Sequence, residues 1–335
     1  MDVIFHPYYL EHKQRGTHPE RPDRLVAILD RLEKENLTDD IHFPKDPDID
    51  KIFAVHSEAY VEDLKEMRPG YIDGGDTYLG DETFDISLLA AEGAFMATEM
   101  AEKGKPTMAL LRPPGHHAGK NYGGGFCYFN NIAIAAKTCK AEKVAILDFD
   151  AHHGNGTSDI FYNDPSVLYI SAHHHGIYPG TGEYFAVGEG PGQGYNVNIP
   201  FFTGVGDASM DLAMDKLIEP ILKQFSPELI LVSLGTDGHY EDVMTGLSYS
   251  SQSYIDTAEK CLKSSKELCD GSISFMLEGG YHLGSLSEIV TGIVALTEDE
   301  IDVELTHDKV SDKEGRGSKA IKDARDALKK YWILD

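Results

Sequence analysis

No stretch of the chain approaches the roughly 20 consecutive apolar residues that a membrane-spanning helix needs. The segment Met1 to Pro7 also lacks the basic and apolar regions of a signal peptide, so the expectation is a cytoplasmic protein with no membrane partner. Cysteine is scarce. The four present, Cys127, Cys139, Cys261 and Cys269, show no C-x-x-C spacing, which speaks against a thiolate metal site and for free thiols in a reducing compartment. Basic residues are few as well: 30 Lys and Arg stand against 56 Asp and Glu, a formal net charge of -26. Direct nucleic-acid binding needs a positive surface for phosphate contacts and is excluded on that ground. A field of this sign favours cationic substrates and basic protein tails, although a role in solubility alone also accounts for it. No internal repeat recurs at a fixed period. Gly123, Gly124 and Gly125 follow Tyr122 without the Lys-Ser/Thr of a phosphate-binding loop, and they read as a tight wall beside Phe126.

What the chain does have is a focus at residues 144–156. There an apolar run, Val144 to Leu147, ends abruptly in Asp148, Asp150, His152 and His153 and then in glycine. The run does not alternate, as expected of a strand covered on both faces of a parallel sheet. Such sheets place their ligand crevices outside the carboxyl ends of the strands. In extended backbone Asp148, Asp150 and His152 share one side, and a carboxylate and an imidazole two residues apart make a half-site for a zinc-type ion. The plainer alternative is an Asp-rich strand end that caps the next helix.

Four more apolar runs behave alike. Residues 107–111 end in Arg112-Pro113-Pro114-Gly115-His116-His117, residues 167–172 in His173-His174-His175, residues 229–234 in Gly235-Thr236-Asp237, and residues 273–277 in Glu278-Gly279-Gly280-Tyr281-His282. Five such strands predict one α/β domain: a doubly wound, mostly parallel sheet with helices on both faces. Helical spacing of apolar residues predicts helices over 23–37, 57–67 with Ser57 as N-cap, 84–103 and 131–139. Residues 38–51 and 68–81 read as loops, the second at a rim. Residues 1–297 hold all of the chemistry. The charged extension 298–335 is expected to form a helix over 318–334 and to dock on the same domain. Successive residues after a strand point in different directions, so His173 to His175 are expected in a rim loop rather than at a metal.

Taken as one site, Asp150, His152 and Asp237 supply three ligands of the kind zinc takes and leave a fourth position open, the mark of a catalytic ion. His116 and His117, presented by a Pro-Pro-Gly turn, supply a base and an acid. Tyr281, between glycine and His282, would donate its hydroxyl to a developing oxyanion. These parts suit metal-assisted hydrolysis of an amide.

At this point the sequence resembles the zinc-dependent histone deacetylases and their bacterial and archaeal relatives, within the arginase/deacetylase fold. The likeness runs over residues 1–297. It is carried by His18-Pro19-Glu20-Arg21-Pro22, Arg112 to Ala118, Gly125-Phe126-Cys127, Asp148 to Gly156, Pro179-Gly180-Thr181-Gly182, Gly235-Thr236-Asp237 and Glu278 to Tyr281. Asn155, the Pro-Pro-Gly and Glu278 resemble the class II branch. The resemblance implies zinc, with iron as an alternative, on Asp150, His152 and Asp237. It implies His116 and His117 as the acid/base pair, Asp148 orienting His116, and Tyr281 as oxyanion donor. Asn155 stands where class I enzymes have a carboxylate beside the second histidine, which implies a less elevated pKa for His117. It further implies potassium or sodium at an inner site (Asp148, Asp150, His152, Ser171, Ala172) and an outer one (Phe161, Asp164, Val167, Tyr195), mostly through backbone oxygens. Phe126, Gly125 and Tyr178 would wall an acyl-lysine channel, and Asp76 would hold the substrate backbone.

Substrates implied are an acylated lysine in a protein or peptide, or a small acetylated amine such as a polyamine, and a homo-oligomer is among the expected assemblies. The small-amine enzymes place an acidic residue seven positions after the last metal Asp, where this chain has Met244. An arginase-like site with two manganese ions would need carboxylates at Gly154 and His239 and is excluded. An inactive acyl-lysine binding module is the alternative from another class, and Tyr281 with an intact ligand triad speaks against it.

Overall fold

In the computed structural model, which describes residues 1–298, 303–308 and 316–334, apolar runs become strands wherever both faces can be covered. The strands are β1 (Asp2–Ile4), β2 (Ile41–His42), β3 (Gly70–Tyr71), β4 (Tyr78–Leu79), β5 (Thr107–Ala109), β6 (Val144–Asp148), β7 (Val167–His174), β8 (Asn196–Phe201), β9 (Leu229–Leu234) and β10 (Ile273–Leu277). β3 and β4 pair antiparallel as a small ribbon. The other eight form one sheet in the order β2-β1-β5-β10-β9-β6-β7-β8, every pair of it parallel. Every residue of β6, β9 and β10 is buried. Each wholly buried Leu or Ile there contributes about 1.5–3 kcal/mol over an exposed one, and this is why non-alternating runs mark the middle of the sheet.

Helices pack around the sheet. Asp23–Lys34 lies against Leu283–Ala295, and Thr83–Ala101 against Asn131–Thr138. Ser57 caps the helix Glu58–Glu66, its side chain accepting from Tyr60 N at 3.3 Å. The helix from Asp23 stops at Lys34 rather than at 37, because Asn36 takes the left-handed conformation (φ 57°). The tail helix Ser318–Leu328 buries Ala320, Ile321, Ala324 and Leu328 and packs on β8. All four cysteines are free thiols. Among the described residues, no helix is long and apolar enough to cross a membrane.

The register sets the site. Asp148 stands opposite Ser171 of β7 and Ser233 of β9, and Leu277 stands opposite Leu234. The strands β10, β9 and β6 therefore deliver their next residues to one level, with β5 alongside β10 and β7 running on past it.

Further expectations are corrected. His173 and His174 are not in a rim loop: β7 runs on through His174, pairing His173 with Pro200 and His174 with Phe201. His173 is buried, its Nδ1 2.8 Å from Ser171 Oγ and its Nε2 2.9 Å from Gly182 O. Residues 38–51 are not all loop but hold β2 and the short helix Ile49–Ile52. β8 carries two asparagines and a proline and is absent from the apolar pattern. Its Asn196 and Asn198 are nevertheless buried, both side-chain amides donating to Ala186 O at 2.7 and 2.9 Å. Pro200 is tolerated because β8 is the sheet edge.

One buried histidine gives a measurable pH dependence. His56 donates from Nδ1 to Gly119 O (2.9 Å) and accepts Asn130 N at Nε2 (2.9 Å), which fixes the neutral ring. Burial, against the smaller pull of the backbone carbonyls, lowers its pKa to about 4 from 6.5. Between those values the unfolded chain binds a proton that the folded chain refuses, so the stability from neutral His56 is complete above pH 6.5 and is lost as pH falls toward 4. His56→Gln keeps a donor and an acceptor but does not titrate. Urea unfolding from pH 7 to 4 is expected to show a slope shallower by up to about 1.4 kcal/mol per pH unit in this variant than in the natural protein. Identical slopes would show that His56 is not held neutral.

Candidate active site

Each strand end contributes one piece. After β6 the chain turns so that Asp150 Oδ1 accepts His152 N at 2.8 Å, and Asp150 Oδ2 accepts Gly279 N from the end of β10 at 2.8 Å. After β9, Asp237 Oδ1 accepts Ala151 N at 2.8 Å and its Oδ2 lies 2.6 Å from His152 Nδ1. One donor atom each of Asp150, His152 and Asp237 lies within 4.8 Å of the others. Close approach needs glycine: a Cβ on Gly235 would meet Asp150 Oδ2 at 2.0 Å.

The electrostatics fit a cation. Asp148, Asp150, Asp237 and Glu278 are all wholly or almost wholly buried. Burial and the neighbouring Asp150 push Asp237 up to about 6. Burial also acts on Asp150, but the imidazoles of His116 and His152 outweigh it and hold that carboxyl well below its usual range. Burial opposes a charge on His152 too, yet the Asp237 carboxylate holds its pKa up at about 10. Two carboxylates and one imidazole, converging in a largely buried site, are the donor set of a zinc-type ion. The residues fit that metal.

His116 and His117 stand side by side, ring centroids 4.0 Å apart. His116 Nδ1 lies 3.2 Å from Asp148 Oδ2, and its Nε2 lies 3.9 Å from Asp150 Oδ2. Burial would lower its pKa, but Asp150 and Asp148 overcome that and raise it to about 10. His117 Nδ1 lies 2.8 Å from Asn155 Oδ1 instead of a carboxylate, and Asn155 in turn donates to Tyr122 Oη at 3.1 Å. Burial and the imidazoles of His116 and His152 hold His117 well below 6.5. Asp148 also accepts Tyr169 Oη at 2.9 Å, so its orientation is fixed from both sides.

A cavity of about 110 Å³ opens above this group, lined by His116, His117, Asp150, His152, Gly279 and Tyr281 at its floor and by Pro114, Gly125, Phe126, Tyr178, Asp76 and Met244 toward its mouth. Phe126 sits edge-on to Tyr281 (6.1 Å) and Tyr178 edge-on to His117 (5.0 Å). Gly125 has φ 55°, and a Cβ there would meet His117 Cδ2 at 2.5 Å, which explains the glycine before Phe126. Asp76 accepts Thr77 Oγ1 at 2.9 Å, and burial together with the neighbouring Asp73 raises it to about 6. Phe126, Gly125, Tyr178, Asp76 and Met244 thus line one cavity.

The residues of the suggested inner cation site also meet: Asp148 is paired with Ser171 across β6 and β7, with Ala172 next in the strand. Those of the outer site fall around the turn before β7. Phe161 O accepts Asp164 N (3.0 Å), Asp164 O accepts Val167 N (3.4 Å), and Tyr195 O accepts Tyr169 N (2.8 Å). Asp164 Oδ2 also takes Lys137 Nζ at 2.5 Å.

Four supports escaped the sequence reading. Glu278 Oε2 accepts Gly115 N (2.7 Å) and His116 N (3.2 Å), tying β10 to the His-His turn. Arg112 donates to Tyr9 O (2.6 Å), His12 O (2.7 Å) and Glu20, which fixes the chain just before that turn. Arg24 donates to Glu278 O and Gly280 O, both at 2.6 Å, and Asp242 Oδ2 accepts Tyr281 N at 2.6 Å. Glu20, Arg112 and Glu278 sit inside the motifs, a signal that they matter. Arg24 and Asp242 carry no such signal.

The histone deacetylase domain model matches residues 18–297. A probable deacetylase of Archaeoglobus fulgidus is 40% identical over 304 residues, which cover 88% of this chain and 85% of that protein. The protein named histone deacetylase 10, chloroplastic, of Oryza sativa is 39% identical over 303 residues, covering 82% of this chain and 68% of that one. The crystal structure of the HDA15 HD domain superposes with a TM-score of 0.89 at 31% identity, covering 99% of this chain and 97% of that one.

Proposed function

This chain belongs to the histone deacetylase family and is a deacetylase, and from that premise we propose a zinc-dependent amidohydrolase that removes acetyl or longer acyl groups from lysine side chains. The observation that carries the reading is the cavity. A narrow aromatic mouth, suited to an alkyl stem, leads to a floor where His117, Tyr281, Asp150 and His152 face one space, with Asp237 converging on Asp150 and His152. Zinc, or iron on the same ligands, would supply there the Lewis acidity that polarises an amide carbonyl and acidifies water.

The side chains do the rest. His117, with Nδ1 donating to Asn155, presents a lone pair at Nε2 and takes the proton of the attacking water. His116, cationic between Asp148 and Asp150, gives a proton to the departing amine. Tyr281 donates its hydroxyl to the oxygen that gains charge. Phe126 and Tyr178 hold the acyl-lysine stem and exclude water, and Asp76 accepts from the substrate backbone. Potassium or sodium on the Asp148–Ser171–Ala172 group and around Phe161, Asp164, Val167 and Tyr195 would brace β6 and β7 beneath the site.

Met244 favours lysine over a polyamine. It lines the mouth where a carboxylate would be needed to pair with a second ammonium group. The test is turnover, side by side, of acetyl-lysine peptides, longer acyl-lysine peptides and acetylated polyamines, with a chelated sample as control. Peptide turnover lost on chelation and restored by zinc is expected. Turnover of acetylpolyamines alone would overturn the lysine assignment and leave the chemistry in place.

A further inference from the structure

The hydrogen bonds that begin at His117 do not end at Asn155. Asn155 opens the helix Asn155–Phe161, and Asp159 follows it by about one turn, so both side chains stand on the same helix face. Tyr122 lies against that face. Its hydroxyl accepts Asn155 Nδ2 at 3.1 Å and donates to Asp159 Oδ2 at 2.5 Å. His117, Asn155, Tyr122 and Asp159 thus stand in series, from a buried imidazole to an exposed carboxylate. Neither Tyr122 nor Asp159 lines the cavity.

The series has a direction. An ionised carboxylate can only accept, so Asp159 takes the one proton of the Tyr122 hydroxyl. The hydroxyl then has only lone pairs to offer Asn155, which must turn its NH2 group toward Tyr122 and its Oδ1 toward His117. Oδ1 accepts from His117 Nδ1, and the basic nitrogen is left at Nε2. With the amide reversed, its NH2 group would face Nδ1 and hold the ring proton on Nε2, the tautomer with no base toward the cavity. An amide alone does not choose between these orientations, since it carries a donor on one side and an acceptor on the other. Packing holds Tyr122 for the task. Its carbonyl accepts Gly119 N at 2.9 Å, and its ring covers Gly119 so closely that a Cβ there would meet Cε1 at 2.3 Å. The ring position is therefore set without the hydroxyl. Burial and the hydrogen bond to Asp159 push the phenol well above its ordinary pKa, so it keeps its proton.

We propose, on the reading of His117 as the base of amide hydrolysis, that Tyr122 and Asp159 are positioning residues for it. Asp159, acting through Tyr122, sets the amide of Asn155 and thereby the Nδ1–H tautomer of His117. A carboxylate outside the cavity thus decides which nitrogen of the base faces the attacking water.

Spectroscopy and kinetics on the full, zinc-loaded chain test this. Nitrogen NMR of protein labelled at histidine reads the tautomer of His117, which burial and the neighbouring imidazoles keep neutral at neutral pH, and His117→Ala assigns its signals. The natural protein is expected to show the Nδ1–H form alone. Tyr122→Phe should show both tautomers and a kcat lower by about three- to tenfold on an acetyl-lysine peptide, with KM little changed, the range that one orienting hydrogen bond supplies. Asp159→Asn should mix the tautomers as well, because an amide at 159 can donate as readily as accept. Asp159→Glu, still only an acceptor, should restore the single form. Circular dichroism checks the fold of each variant. His117 found as Nε2–H in the natural protein, or wholly as Nδ1–H in Tyr122→Phe, would overturn the proposal, whatever the kcat. A natural protein that hydrolyses no acylated amine, yet shows these tautomer shifts, would instead remove the hydrolytic reading and uphold the positioning of His117.

Discussion

Replacing His117 by alanine is expected to lower kcat/KM by about 10²–10⁴-fold, the range for loss of a positioned acid or base, while metal content stays unchanged. The expectation rests on position. His117 is buried beside the ligand cluster, 6.1 Å ring to ring from His152, yet it is outside the group whose donor atoms converge. Asn155 Oδ1 can only accept, so the 2.8 Å contact fixes the Nδ1–H tautomer and points the basic nitrogen into the cavity. His116 cannot take over that role, because Asp148 and Asp150 keep it charged. The measurement is kcat/KM on an acetyl-lysine peptide with zinc content determined on the same sample. Turnover within about threefold of the natural protein would remove His117 as the base, since such a change lies far below the general-base range.

The sequence was informative where burial is complete and silent where pairing is distant. β6, β9 and β10 were legible because a strand covered on both faces has to be apolar throughout, and their ends were legible because polar residues in such a place need a reason. The same logic singled out Asp150, His152, Asp237, His116, His117 and Tyr281. It failed for β8, whose buried Asn196 and Asn198 both donate their side-chain amides to Ala186 O, a contact that no local pattern announces. It failed for His173 too, which reads as a polar loop residue but is satisfied within the strand by Ser171 and Gly182. Glu20 and Arg112 lie 92 residues apart, and Arg24 lies 254 residues from Glu278, whose backbone carbonyl it binds, so neither contact follows except from the fold. Residues of opposite charge inside separate apolar-flanked motifs are the one hint of such a buried pair, since neither is stable there alone.

Those long-range pairs also make the hydroxyl of Tyr281 testable by itself. Tyr281→Phe is expected to reduce kcat by about 10²–10³-fold, the effect of removing one oxyanion donor, with KM and metal content little changed. The ring should stay where it is, because nothing that holds it depends on the hydroxyl. Its backbone N–H is bound to Asp242, its face lies 5.0 Å from the Arg24 guanidinium carbon, and Phe126 meets it edge-on. Arg24 is itself locked to the carbonyls of Glu278 and Gly280. Burial pushes the phenol well above its ordinary pKa, against the smaller pull of Arg24, so the hydroxyl remains a donor throughout the neutral range. An interaction made only as charge develops on the substrate oxygen lowers kcat and kcat/KM together when removed, whereas one made equally to bound substrate raises KM alone. A Tyr281→Phe protein with raised KM and unchanged kcat would therefore make Tyr281 a wall of the channel and leave the oxyanion to other donors.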